Sequence, residues 1–305
     1  MGKIAFVFSG QGAQKPGMGL PLYESAPAAR EVFDRLEALR PGLQELCFHG
    51  EAEELGITKN TQPALFAVEL AAAAALRAAG VEPAMDAGFS LGEITALTDS
   101  GAADAETGFR LVCRRAELMQ ADAEANPGGM AAVLKLTDEQ VEAVCAGIEG
   151  AYPVNYNCPG QVSVACKKES LPELSAAVKA AGGRAVPLKV SGGFHSPYMA
   201  NAAKAFGEAV RAETLREPAL PLYSDYTALP YEGDFAELLS RQICNPVRWQ
   251  SLVQNMIAAG ADTFVELGPG KTLCGLINKI DPAVRTLHVE DAESLLETVK
   301  EAGTC

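Results

Sequence analysis

Short apolar runs alternate with longer amphipathic segments along the chain, a pattern typical of α/β proteins. Residues 4–8 are a continuous apolar run and predict a buried first strand. Residues 24–39 repeat apolar positions at helical spacing, which predicts an amphipathic helix. Residues 64–79 form an alanine-rich apolar segment, predicted to be a helix that opens at Pro63, and residues 83–87 predict a second strand.

The pattern of predicted elements changes after a long helix predicted at residues 105–125. The break at residues 126–129 reads Asn-Pro-Gly-Gly. Strand and helix patterns then alternate, at residues 130–136, 138–146, 162–166, 171–181 and 184–190. We therefore expect a small ferredoxin-like α+β subdomain at residues 126–191. It would be inserted into a hydrolase-like α/β subdomain, residues 1–125 and 192–305, with a central and mostly parallel sheet.

Residues 88–92 read Gly-Phe-Ser-Leu-Gly and place Ser90 between two glycines. This spacing fits a nucleophile elbow, in which a serine occupies a strained turn between a strand and a helix and glycines leave room for crowded backbone. The free N–H groups of the following helix would stabilise negative charge that develops at the serine. A plain glycine-bracketed turn would give the same five letters. The predicted strand before Ser90 and helix after it favour the elbow.

Composition narrows the possible functions. The chain has 305 residues and a net charge of −14, whereas a nucleic-acid-binding protein needs a basic face. The apolar strand follows the first three residues directly, so no signal peptide is predicted, and no apolar run is long enough to span a bilayer. The eight cysteines form no C-x-x-C pair, and we interpret them as reduced. We expect a cytoplasmic protein that binds neither nucleic acid nor membrane.

A serine nucleophile needs a base, and the chain offers three histidines. His195 lies in the glycine-rich segment 191–197, directly before a helix predicted at residues 198–212, and is the best candidate. His49 lies in an acidic loop and His288 in a terminal strand, so both are interpreted as surface or edge residues. Because the histidines are scattered singly, no metal site is expected.

The loop after the first strand also carries candidate chemistry. It is rich in glycine, but Lys15 stands where a dinucleotide-binding fingerprint requires its third glycine. We instead predict that Gln11 lies beside the active site as a hydrogen-bond donor, although a plain turn remains an alternative. On the helix at residues 105–125, Arg110 and Arg114 are interpreted as solvated surface charges.

Several of these motifs, taken together, resemble one family: the malonyl-CoA:acyl-carrier-protein transacylases of fatty-acid synthesis, with the related acyltransferase domains of polyketide synthases. The matching stretches occur in the family's order and span nearly the whole chain. They are residues 10–14, 61–65, 88–93, 115–120, 155–161, 193–197, 245–249 and 266–271.

The resemblance implies a role for each matching position. Ser90 would be the nucleophile and His195 its general base. The histidine would be oriented by the backbone carbonyl of Gln242 rather than by a carboxylate. The backbone N–H groups of Gln11 and Leu91 would form the oxyanion hole.

The resemblance also implies the substrate and partners. Arg115 would clamp the malonyl carboxylate, which overrides the surface role otherwise assigned to a helical arginine. The reaction would be ping-pong transfer of a malonyl group from malonyl-CoA to acyl carrier protein, by a monomer that needs no cofactor. One position departs from the family pattern: Phe89 stands where histidine usually precedes the nucleophile. The elbow should survive, but a polar contact to the acyl group would be lost.

Two other functions remain open at this point. A serine esterase or patatin-like hydrolase shares the elbow but would pass the acyl group to water. Such an enzyme has no use for a buried cation in its acyl pocket, so Arg115 distinguishes it. A non-catalytic protein that only binds acyl carriers is the other alternative, and the presence of Ser90 and His195 argues against it.

Overall fold

The computed structural model of the chain describes residues 2–303. Within them, the strands are β1 Lys3–Phe8, β2 Met85–Gly88, β3 Gly128–Leu134, β4 Tyr152–Cys158, β5 Gln161–Lys167, β6 Arg184–Pro187, β7 Leu222–Tyr223, β8 Ala261–Leu267 and β9 Arg285–Val289. The helices are α1 Leu20–Ser25, α2 Pro27–Leu39, α3 Leu43–His49, α4 Ala52–Leu55, α5 Thr58–Ala78, α6 Gly92–Asp99, α7 Ala105–Ala125, α8 Asp138–Ala146, α9 Leu171–Ala180, α10 Ala200–Arg211, α11 Phe235–Cys244, α12 Trp249–Ala258, α13 Thr272–Ile280 and α14 Ala292–Ala302. Single 3₁₀ turns lie at Lys168–Ser170 and Pro197–Met199.

Five parallel strands form the larger sheet, in the order β7-β2-β1-β8-β9. Residues 5–8 of the central strand β1 are fully buried, on both faces of the sheet: Phe6 and Phe8 belong to one apolar cluster, and Ala5 and Val7 to another. A parallel sheet of this kind needs helices on both sides, which explains why β1 after its first residue is a continuous apolar run in the sequence. The predicted α/β class with a central parallel sheet is confirmed.

Four antiparallel strands form the smaller sheet, in the order β4-β5-β3-β6. With α8 and α9 they give the chain order βαββαβ, which is the ferredoxin-like arrangement predicted from the sequence. One strand was missed, because β4 is interrupted by polar residues such as Asn155 and Asn157 and shows no apolar alternation. The outer limits of this subdomain, residues 126 and 191, stay a prediction.

Two predicted helices differ from the observed ones. The segment 24–39 is divided between α1 and α2, because Ala26 is extended and Pro27 starts a new helix. Helix α5 begins at Thr58, so Pro63 lies inside it rather than at its start. A proline there leaves the carbonyl of Lys59, four residues earlier, without its helical donor. Arg40 Nη1 donates to that carbonyl at 3.1 Å, which compensates for the missing bond.

Two further findings concern the described residues. None of their helices is long and apolar enough to cross a membrane. Seven of the eight cysteines fall within residues 2–303, and all seven are free thiols, as predicted. Cys305 lies outside the described part of the chain.

Candidate active site

The predicted elbow is present between β2 and α6. Ser90 has a φ of 59°, in the left-handed region that residues with a side chain rarely adopt. The two glycines are required by contact: a Cβ on Gly88 would lie 1.9 Å from the carbonyl carbon of Gly92, and one on Gly92 would lie 2.4 Å from the carbonyl oxygen of Phe8. The sequence Gly-x-Ser-x-Gly is thus the one that this strand-to-helix turn can accommodate.

Replacing Gly88 with alanine is expected to destabilise the fold strongly, because the added carbon meets backbone that cannot move aside. We expect a loss of about 3 kcal/mol or more in the free energy of unfolding, measured by urea denaturation. Gly275→Ala is the matched control, since a Cβ there meets nothing within 4 Å. A glycine in α13 replaced by alanine should leave stability unchanged or slightly raised. Equal effects at the two positions would contradict the close packing of the elbow.

Three groups form a hydrogen-bonded chain at the elbow. Ser90 Oγ lies 2.7 Å from His195 Nε2, and His195 Nδ1 lies 2.8 Å from the backbone carbonyl oxygen of Gln242. A carbonyl oxygen can only accept, so Nδ1 carries the proton and Nε2 is left to accept from the serine hydroxyl. The carbonyl therefore fixes the tautomer in which His195 can take a proton from Ser90.

His195 is held in a strained and dry position. Its φ is 59°, and its side chain is almost fully buried. The loop before it is joined to the start of β3 by a bridge between Pro127 and Gly192. Burial, reinforced by the positive charge of Arg115, lowers the pKa of His195 to about 3. The imidazole is therefore neutral across the physiological range, as a general base must be.

Arg115 lies in the same cluster and is fully buried on α7. Its Nη2 donates to Ser90 Oγ at 3.2 Å and to Gln242 Oε1 at 2.9 Å, and its Nη1 donates to Gln62 Oε1 at 2.8 Å. Its Nε has no acceptor among the described residues. Burial lowers the pKa of Arg115 to about 10, against the opposing influence of Glu93 and Asp225. Arg110 and Arg114 are exposed, as predicted.

Behind Ser90 lies a buried polar cluster that the sequence analysis did not identify. Asp225 Oδ2 accepts from the backbone N–H of Ser90 at 2.6 Å. Glu93 accepts from the side-chain amide of Gln242 at 2.8 Å and from the hydroxyl of Tyr231. Glu93 directly follows the Gly-x-Ser-x-Gly motif, but Asp225 and Tyr231 lie in a loop with no recognisable motif. Only their position in the folded structure shows that they belong to the site.

A cavity of about 260 Å³ opens onto these groups. Gln11 and Leu91 line it together with Ser90, His195 and Arg115. The backbone N–H groups of Gln11 and Leu91 have no acceptor in the part of the chain that the structure describes, so both are available to a ligand. The other side of the cavity comes from the antiparallel sheet and the segment after it, through Met130, Ala132, Asn155, Asn157, Gln161, Ser163, Leu188 and Val190.

The other two histidines and Phe89 take no part in the hydrogen bonds at Ser90. His49 is exposed at the end of α3, and His288 is half-buried on the edge strand β9. Phe89 lines the cavity, and its ring packs edge-on against Trp249 with centroids 5.4 Å apart. Within residues 2–303, no group of three histidine, cysteine or acidic side chains is arranged to hold a metal ion.

Comparisons with known proteins agree with this geometry. The family model described as acyl transferase domain matches residues 5–295. The malonyl CoA-acyl carrier protein transacylase of Bacillus subtilis is 38% identical, over 99% of this chain and 98% of that relative.

Solved structures extend the likeness to three dimensions. The crystal structure of the malonyl CoA-acyl carrier protein transacylase from Clostridium perfringens is 36% identical with a TM-score of 0.95, and covers 99% of this chain and 98% of its own. A malonyl-transacylase solved in complex with a type II polyketide synthase acyl-carrier protein is 33% identical with a TM-score of 0.94, over 98% and 99% of the two chains. The chain belongs to the acyl transferase domain family and, within it, to the malonyl CoA-acyl carrier protein transacylases.

Proposed function

We propose that this chain transfers the malonyl group of malonyl-CoA to the phosphopantetheine thiol of an acyl carrier protein, and so supplies chain extension in fatty-acid or polyketide synthesis. One observation carries the proposal: Ser90 Oγ lies within hydrogen-bond distance of both His195 Nε2 and Arg115 Nη2. A nucleophile, its base and a buried cation therefore meet at one atom. This set suits a substrate with a reactive carbonyl and a negative charge a short distance away.

In the first half-reaction, His195 Nε2 removes the proton of Ser90 Oγ as that oxygen attacks the thioester carbonyl. The C–S bond then breaks, and the proton held by His195 passes to the departing sulfur of coenzyme A. The malonyl group is left as an ester on Ser90. The carbonyl of Gln242 stabilises the imidazolium that exists between these two proton transfers.

The tetrahedral intermediate carries a negative oxygen that needs donors. Gln11 and Leu91 line the cavity, and their backbone N–H groups have no acceptor within residues 2–303, so these two groups are assigned to this oxygen. Removing one such donor from an acyl-transfer site typically raises the barrier by about 3 kcal/mol. Leu91 also precedes α6, whose N-terminus favours negative charge at the same place.

In the second half-reaction the carrier's phosphopantetheine thiol enters the cavity and attacks the malonyl-serine ester. His195 accepts the thiol proton and returns it to Ser90 Oγ as the ester bond breaks. The relative solved with a bound acyl-carrier protein supports this partner. The route requires no metal or redox group, because every proton and electron pair is accounted for by Ser90, His195 and the two thiols.

Arg115 favours a malonyl transferase over an esterase. Burying a guanidinium lowers the stability of the fold unless the group is paired or hydrogen-bonded. A fully buried arginine in an acyl pocket therefore indicates that it binds part of the substrate. The Nε–H of Arg115 has no acceptor in the described part of the chain, and the side chain already reaches Ser90. A malonyl carboxylate bound there would satisfy the guanidinium and place its own carbonyl beside the nucleophile.

Replacing Arg115 with alanine should lower kcat/KM for malonyl-CoA by about ten- to a hundredfold, since a charge-assisted hydrogen bond shielded from water contributes about 1.5–3 kcal/mol. Acetyl-CoA has no carboxylate to lose, so its kcat/KM should hold or rise. Lysine should restore activity poorly, because its ammonium cannot reproduce the planar fork. The measurement is the malonyl-to-acetyl ratio of kcat/KM. The exposed Arg114→Ala, on the same helix, is the control, and an unchanged ratio in Arg115→Ala would contradict the carboxylate clamp.

The function itself is tested by supplying the chain with malonyl-CoA and a phosphopantetheinylated acyl carrier protein. Intact mass spectrometry should show the carrier gaining one malonyl group in amounts far above those of the enzyme. Release of free malonate with an unchanged carrier would instead identify a hydrolase.

A further inference from the structure

The acidic pair behind the nucleophile has no part in the chemistry described so far. Glu93 and Asp225 are both fully buried, and the amide nitrogen of Gln242 lies 2.8 Å from Glu93 Oε2 and 3.2 Å from Asp225 Oδ2. Burial and the nearby charge of Glu93 raise the pKa of Asp225. Two ionised carboxylates held this close in a site without water repel each other strongly, so one of the pair must hold a proton. The question is which one, and what the remaining charge does.

Hydrogen bonds answer the first question. Both oxygens of Glu93 are occupied by donors: Tyr231 O–H on Oε1, and the Gln242 amide and the Asp225 backbone N–H on Oε2. Asp225 Oδ2 accepts from the N–H of Ser90 and from Gln242, whereas its Oδ1 is buried and receives no donor from any described residue. An acid oxygen without a donor is the natural place for a proton. Asp225 Oδ1 therefore holds it, and Glu93 remains ionised.

The charge on Glu93 is connected to Arg115 through one side chain. The amide of Gln242 donates to Glu93 Oε2 at 2.8 Å and accepts from Arg115 Nη2 at 2.9 Å. The same residue's backbone carbonyl accepts from His195. Titratable groups reach the pair and Gln242 from three elements. Tyr231, in the loop after β7, donates to Glu93, while Arg115 on α7 and His195 in the loop after β6 both contact Gln242.

We infer that Asp225 and Glu93 share a single proton, and that the one negative charge left on the pair is the buried counter-ion that keeps Arg115 ionised and in place beside Ser90. Both acids are thus positioning residues for malonyl selection, and this inference rests on the proposed function. Before substrate binds, the charges of Arg115 and the pair cancel. The incoming malonyl carboxylate then meets a guanidinium whose position is already fixed through Gln242.

Amide substitutions distinguish two roles for the pair: holding one proton and one charge between them, or only supporting the local structure. In Asp225→Asn, a neutral amide replaces the neutral acid, so the charge stays on Glu93. In Glu93→Gln, Asp225 loses the neighbour that kept it protonated and takes over the charge. Each single variant should therefore lose only a small factor in kcat/KM for malonyl-CoA. The double variant has no charge left, and a buried arginine without a counter-ion should lower that kcat/KM by more than about a hundredfold.

If the two acids served only to hold the structure together, their loss would not change the pH dependence of one substrate and spare that of the other. The pH dependence of kcat/KM is therefore measured separately for malonyl-CoA and acetyl-CoA. Glu93 and Asp225 both raise the pKa of Arg115, so their loss should move the alkaline decline in malonyl-CoA kcat/KM toward neutral pH. Acetyl-CoA should show no such movement, since it does not use the guanidinium. Asp86→Asn removes an equally buried carboxyl outside this cluster and is the matched control. A double variant whose loss equals the product of the single losses, with both substrates affected alike, would overturn the inference.

An infrared measurement tests the proton without relying on catalysis or on the fold of the double variant. At neutral pH the wild type should show the carbonyl band of a protonated carboxyl that is missing from both Asp225→Asn and Glu93→Gln. Persistence of that band in Glu93→Gln would mean that Asp225 is protonated by burial alone, and would refute sharing. This measurement needs no substrate, so its result is independent of the malonyl transfer assay. The shared proton can be refuted while malonyl transfer is confirmed, and malonyl transfer can be refuted while the shared proton is confirmed.

Discussion

Ser90→Ala should abolish malonyl transfer. Wild-type protein mixed with malonyl-CoA alone is expected to gain one malonyl group per chain, located on Ser90 by peptide mass spectrometry, and the variant to gain none. Turnover should fall by a factor on the order of 10⁴ or more, because the nucleophile and base act as a unit and neither alone opens a covalent route. No other group in the cavity combines a base at 2.7 Å with donors for the oxyanion among the described residues.

The control for this experiment is Ser163→Ala. Ser163 lines the same cavity from β5, but its Oγ contacts Asn157 rather than a base. That variant should retain the malonyl ester. A label on cysteine in wild-type protein would contradict the serine route, and the structure argues against it, since burial raises the pKa of Cys47, Cys145 and Cys274 each to about 12. Thiols of that pKa are poor nucleophiles at neutral pH.

Local rules of sequence predicted the elbow well. Gly88 and Gly92 are dictated by backbone contacts within a few residues of Ser90, so the five letters and their flanking elements suffice to predict the turn. Helix α7 was predicted with its observed limits, because it is long, periodic and capped by Asp104. Strand β4 was missed for the opposite reason: its asparagines face the cavity, and function has replaced the apolar alternation that identifies a strand.

The electrostatic support of the site could not be predicted in the same way. Arg115 has the sequence context of any helical arginine, and only the family resemblance marked it as buried. Asp225 contacts a residue 135 positions earlier in the chain, and Gln242 acts on His195 through a backbone atom that every residue possesses. Interactions of this kind depend on which elements the fold brings together. One sequence contains no periodicity or spacing that reveals them.

His195→Ala should lower kcat/KM for malonyl-CoA by several orders of magnitude, nearly as much as loss of the nucleophile. Half-buried His288→Ala is the control and should leave turnover nearly unchanged. Greater damage at His288 than at His195 would place the base elsewhere.

The pH dependence of the wild-type enzyme tests the role of His195 as the base without removing its side chain. Since burial and Arg115 lower the pKa of His195 to about 3, the base is already neutral in mild acid. The kcat/KM for malonyl-CoA should therefore stay level from about pH 8 down to about pH 5, well below the ordinary histidine pKa of about 6.5. In Arg115→Ala the depressing positive charge is gone, so the acidic decline should move to higher pH, measured with acetyl-CoA. A decline near pH 6.5 in the wild type would mean that the free enzyme holds its base in contact with water, and would contradict the buried Ser90–His195 pair.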